Sequence, residues 1–211
     1  MIAAAERIAA ERGFSAMSLR EVQAESGQRN KSAARYHFGS REGLIEAVVA
    51  ARMGPVNERR LELLAAYDAS PGEPSLRELV AALVVPLAEH TVARSGSHWA
   101  RFLAQGMADP VLSAVVQRRL EARSYRDLRD RMTAALGHVP VRLRAARVDH
   151  VLGLTTVSLA AAEGSLASTG HTRLAVPDLV ADLVDVCTAV LEAPSSAAAS
   201  PSPLTPATTS P

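Results

Sequence analysis

Apolar residues recur at spacings of three and four along most of this chain, which predicts helices. Ile2, Ala5, Ile8 and Ala9 share one side of a first segment, with Glu6, Arg7 and Glu11 opposite, so a helix is expected over 2–12. Gly13 closes it, and Phe14 is placed to plug a small core. Ser18 reads as the cap of a second helix, with Glu21 three residues on completing a capping box. Leu19 and Val22 face inward from that helix, and Gly27 stops it. Asn30 caps a third helix, in which Ala34 and Phe38 lie four apart and pack inward. Gly39 ends this helix and Ser40 caps the next, led by Leu44, Ile45, Val48 and Val49.

Beyond Arg52, Met53-Gly54-Pro55 is expected to break the helical pattern before a new run through Leu61, Leu64 and Tyr67. Residues 68–74 read as a loop from their turn residues. Ser75 and Glu78 form a second capping box, opening a helix through Leu79, Val80, Leu83 and Leu87 in which Pro86 predicts a kink. Asp109-Pro110 predicts the start of a long helix reaching Leu136. Another runs from Pro140 to about Leu166, and a last one from Asp178 to Glu192. Two wide apolar stripes stand out: Val148/Val151/Leu152/Thr155/Leu159 and Leu183/Val184/Cys187/Val190/Leu191. They predict an isologous four-helix dimer interface. From Ala193 on, almost every residue is Pro, Ser, Ala or Thr, so a disordered tail is expected. The chain thus reads as all-α in three parts: residues 1–50, residues 51–193, and a tail over 194–211.

Composition narrows the function classes. Hydrophobic residues make up 48% of 211, enough to bury a core, and the net charge of +1 favours no partner by itself. Between Ser18 and Arg41, however, five basic residues face two acidic ones, Glu21 and Glu25. The lone Cys187 excludes an intramolecular disulfide and gives no metal-ligand cluster. Met1 opens no secretory signal pattern, and no apolar run reaches the ~18 residues of a membrane span, so a cytoplasmic protein without membrane contact is expected. Catalytic patterns are missing. Asp149 and His150 are adjacent on a helix and point about 100° apart. There is no Gly-x-Ser-x-Gly, phosphate loop or His-Glu-x-x-His, and His90 and His98 suggest no third metal ligand. No enzyme activity, cofactor or metal is expected.

The third helix is the informative one. Lys31, Ser32, Ala33, Arg35, Tyr36 and His37 are left off its inward side. A helix ending at a glycine, a turn and a short basic helix together suit insertion into a DNA groove. By spacing alone, a plain three-helix bundle with a solvated basic face fits as well.

The residues Glu11-Arg12-Gly13-Phe14, Ser18-Leu19-Arg20-Glu21-Val22, Gly27, Tyr36-His37-Phe38-Gly39-Ser40 and Arg41-Glu42-Gly43-Leu44 resemble the TetR (tetracycline-repressor-like) family of bacterial transcription regulators. The resemblance spans residues 2–52. It implies an N-terminal helix-turn-helix domain followed by a helical bundle that dimerises and binds a ligand. It also implies that Lys31, Ser32, Ala33 and Arg35 contact the groove, that Tyr36, His37 and Arg41 hold phosphates, and that Arg20 joins either group. The turn Gly27-Gln28-Arg29-Asn30 is one residue longer than the commonest family spacing. Trp99, Phe102, Met107, Tyr125 and Met132 read either as plain core or as the wall of an effector pocket, with His98, Arg101 and Gln105 as its polar groups. The expected function is a homodimeric repressor released from a palindromic operator by an unknown small molecule. A helical ligand carrier without specific DNA binding is the competing class.

Overall fold

The starts of three helices fall where serine caps set them. The computed structural model describes residues 1–27, 33–109, 112–114, 116 and 123–196, with 33 and 34 by main chain alone. Ser18, Ser40 and Ser75 each accept a hydrogen bond from the main-chain N–H three residues on, at 3.1, 3.0 and 3.3 Å. The described elements are α1 (Ile2–Arg12), a 3₁₀ turn (Phe14–Ala16), α2 (Leu19–Glu25), α3 (Ala33–Phe38), α4 (Arg41–Asp68), α5 (Leu76–Glu89) and α6 (Trp99–Ala108). They continue with α7 (Arg123–Ala135), α8 (Val141–Thr169) and α9 (Val176–Glu192). No strand occurs among the described residues. The fold is all-α, as the periodicity predicts.

Several local expectations give way to tertiary packing. The capping box at Ser75 is complete, its N–H donating to Glu78 at 2.8 Å. At Ser18, by contrast, the Glu21 carboxylate turns to Arg12, 2.9 Å away. Met53-Gly54-Pro55 does not break the chain: α4 runs unbroken through it. Met53 and Val56 are buried on the stripe that continues to Leu64, and that burial holds the helix across the proline. The boundary expected after residue 50 therefore falls inside a helix. α5 likewise continues through Pro86. Proline has no N–H for the carbonyl of Ala82, and Arg60 Nε donates to that oxygen instead, at 3.2 Å. Asp109 accepts from Leu112 N at 3.0 Å, as a helix cap should. Residues 117–122, on which the single long helix to Leu136 depends, lie outside the described residues, as do Asn30 and residues 197–211 of the expected tail.

One buried cluster joins the N-terminal helices to the rest. It runs from Ile8, Phe14 and Met17 through Leu44 and Val48 to Trp99, Phe102 and Leu128. Glu6, read as a polar-side residue, is buried, because α4 supplies Arg52 as its partner through two hydrogen bonds. The guanidinium pKa of Arg52 is raised, chiefly by those bonds.

The two apolar stripes do not form the expected outward face. Val148, Val151, Thr155, Leu159, Leu183, Val184, Cys187 and Leu191 are buried within the protomer, where α8 packs on α6 and α9. Thr155 Oγ1 and Cys187 Sγ meet at 3.6 Å. The outward side of the pair instead shows Val157 and Val186, 61% and 42% exposed. α8 is also long and apolar enough to cross a membrane by length and composition, contrary to the sequence reading. Within the fold it is a bundle helix, carrying buried Thr155, Thr156 and Glu163 against its neighbours.

Candidate nucleic-acid interface and ligand site

Two glycines in the left-handed region, Gly27 at φ 69° and Gly39 at φ 68°, lie on either side of α3. Gly39 N–H closes α3 by donating to Arg35 O at 2.9 Å. Phe38 packs on the core, while Arg35, Tyr36 and His37 are exposed. Tyr36 is 85% exposed, an unusual position for a large aromatic ring unless a partner covers it. His37 stands edge-on to it, ring centroids 5.3 Å apart. Arg20 is exposed on α2. Lys31 and Ser32 lie outside the described residues, and Ala33 is described by main chain alone.

Arg41 behaves differently from its neighbours. Its Nε donates to Met17 O at 3.0 Å and a terminal nitrogen to Phe14 O at 2.6 Å, tying the start of α4 to the connection between α1 and α2. The guanidinium thereby fixes the frame on which α3 sits.

Charge around this surface is less balanced than the sequence count suggests. Glu25 pairs with Arg7 at 2.5 Å and with Arg12 at 2.7 Å, and Glu21 pairs with Arg12 at 2.9 Å. Both acids of α2 are answered by α1, which lowers their opposition to an approaching phosphate backbone.

The candidate ligand residues separate into several environments. Trp99 and Phe102 are core: Phe102 stacks on Trp99 at 5.5 Å and meets Phe14 edge-on at 4.8 Å. Met132 is buried and Met107 partly buried. Tyr125 lines a small cavity between the helices, about 20 Å³ in volume, shared with Met53, Arg60, Leu83, Leu87, Leu103 and Leu152. His98 lies on a surface cleft with His90, Arg94 and Arg52, and its Nε2 is 3.3 Å from Glu11 Oε1. Gln105 Nε2 donates to Ala10 O at 3.2 Å. Arg101 Nε lies 3.4 Å from Glu163, whose carboxylate also accepts from Ala100 N and Arg101 N at 3.2 and 3.0 Å. Trp99 Nε1 and one terminal nitrogen of Arg101 are buried without a partner among the described residues.

α6 is thus held to α8 at its first turn and to α1 along its length. Sequence reasoning missed Arg60 and Glu163, although a signal was present. Arg60 occupies a core position of the stripe Met53-Val56-Arg60-Leu64, and Glu163 falls on the α8 stripe through Thr155 and Leu159. A charge at a core position asks for a partner.

Residues 1–48 match the sequence profile of bacterial regulatory proteins of the tetR family. No curated protein matches the chain. Among solved structures, one described as a TetR-family transcriptional regulator from Mesorhizobium loti MAFF303099 is 16% identical, with TM-score 0.53 over 90% of this chain and 93% of that one. Another, from Rhodococcus sp., is also 16% identical, with TM-score 0.54 over 90% and 96%. AmtR of Mycobacterium smegmatis is 19% identical, with TM-score 0.52 over 90% and 83%. Residues 1–48 are therefore similar to the tetR family of bacterial regulatory proteins, and over 90% of its length the chain has the fold of solved structures described as TetR-family transcriptional regulators.

Proposed function

We propose that this protein is a homodimeric transcriptional repressor that binds a palindromic operator through α3 and is released by a small-molecule effector. The observation that carries the reading is the exposed run Arg35, Tyr36 and His37 on a short helix whose inward residue, Phe38, is packed on the core. In this reading Arg35 takes a base edge with its planar fork, and Tyr36 and His37 hold phosphates. Lys31, Ser32 and Ala33 enter the groove beside Arg35, and Arg20 contacts the same stretch of duplex. Arg41 positions α3 through the Phe14 and Met17 carbonyls.

Release follows from the placement of α6. An effector entering the bundle displaces this helix, and Gln105, Phe102 and His98 pass the displacement to Ala10, Phe14 and Glu11. The two α3 copies then lose the separation of ~34–36 Å that successive major grooves require.

Selection of bound fragments from genomic DNA, followed by footprinting, tests the reading. A palindromic footprint with two half-sites is expected. Binding of any duplex alike would leave a carrier or interaction protein instead.

A further inference from the structure

Arg60 is only 2% exposed in the middle of the bundle, where a permanent cation is costly unless an anion faces it. Its Nε donates to Ala82 O, and a terminal nitrogen donates to Asn57 Oδ1 at 2.7 Å and lies 3.4 Å from Ser124 Oγ. All three acceptors are neutral. No carboxylate pairs with it among the described residues. Burial lowers its pKa only to about 10, so the group keeps its charge at neutral pH. The stitch to Ala82 O explains one N–H; it does not explain why a charged group was placed there. The guanidinium also forms part of the wall of the small interhelical cavity, over the Tyr125 ring at 5.8 Å, and leucines from α5, α6 and α8 share that lining.

We propose that Arg60 anchors the head group of a small monocarboxylate with an apolar body, the effector's chemical class; this rests on the effector-released reading above. One carboxylate balances the charge of one guanidinium and can accept from its second terminal nitrogen, which makes none of the bonds to Ala82, Asn57 and Ser124. A phosphate dianion would bring a second charge to a wall that has no second cation among its described lining. The apolar body follows from the leucine lining. A volume of about 20 Å³ holds about one water, so the acid enters by parting the helices. Leu103 is the α6 residue in that wall, one turn from Trp99 and two residues from Gln105, so uptake moves the helix on which α1 rests.

The probes are octanoate and 4-phenylbutyrate, set against octanamide, octanol and octylammonium. Emission of Trp99, the only tryptophan, reports binding without reference to DNA. Saturable binding of both acids is expected, about tenfold or more tighter than the amide or alcohol, with no binding of the ammonium. Arg60→Met should remove the preference for the acids, and Arg60→Lys should keep it. Equal affinity for acid and amide, or no saturable binding of either acid, overturns the proposal. If Arg60→Met fails to fold, the wild-type series alone decides. Operator release is measured separately. Acids that bind yet leave DNA binding unchanged would uphold this site while overturning the effector reading.

Discussion

Arg35, Tyr36 and His37 are consecutive on one helix, so their side chains leave it about 100° apart and meet different parts of a duplex. They should fail differently. Arg35→Ala is expected to cost about 1–3 kcal/mol per half-site and to flatten preference at one base pair. Tyr36→Phe removes one hydroxyl from a ring already 85% exposed, so the fold is untouched and all operators should weaken alike. A panel of single-base operator mutants at fixed salt separates the two. If Arg35→Ala keeps the wild-type base preference, the base-reading role is wrong. Arg41 gives a third outcome. Arg41→Lys keeps the charge near a phosphate but cannot span the carbonyls of Phe14 and Met17 with one fork. A stability loss of about 1–2 kcal/mol in urea, without DNA, is expected. Unchanged stability with weakened DNA binding would show that Arg41 serves phosphate alone.

At the scale of helices, α6 depends on an anion that its own sequence does not supply. His98 caps it without a side-chain hydrogen bond. The first-turn N–H groups of Ala100 and Arg101 are instead satisfied by Glu163, more than 60 residues away on α8. Glu163→Leu, similar in size and apolar, leaves both donors buried and should cost about 2–3 kcal/mol in urea unfolding. A loss below about 0.5 kcal/mol would mean water serves them equally well. This contact also shows what the sequence could disclose. Ser18, Ser40 and Ser75 were legible because a cap and its N–H partner lie three residues apart. The exposed run on α3 was legible because its inward partner, Phe38, sits on the same turn. Glu6 was misread because its partner Arg52 lies 46 residues on, and Met53-Gly54-Pro55 because burial of Met53 and Val56 outweighs local breaking propensity. Trp99 and Phe102 read from sequence either as core or as pocket wall; their burial, with Trp99 stacked on Phe102 and Phe102 edge-on to Phe14, depends on contacts that the sequence does not display.

For the whole molecule, the question is what covers the outer side of α8 and α9. Most of their apolar stripe residues are already buried within the protomer, so in the proposed homodimer the pairing surface on these two helices would draw on other residues. What remains outward is a smoother surface: Val157 at 61% and Val186 at 42% exposure, with exposed Ala146, Ala161 and Ala189 on the same two helices. Small residues let helices approach closely, and a two-fold pairing of two such helices gives four across the axis, matching a two-fold operator. Val157→Glu places a charge where the free protomer already exposes most of the side chain, so the fold should hold while the pairing does not. Helical content by circular dichroism is expected to stay unchanged, and light scattering at micromolar concentration to move from dimer mass toward monomer. Operator affinity should fall with it, because two half-sites are no longer engaged together. Wild-type protein that scatters as a monomer would reject the homodimer. A Val157→Glu variant that remains fully dimeric would place the interface on another side of the bundle.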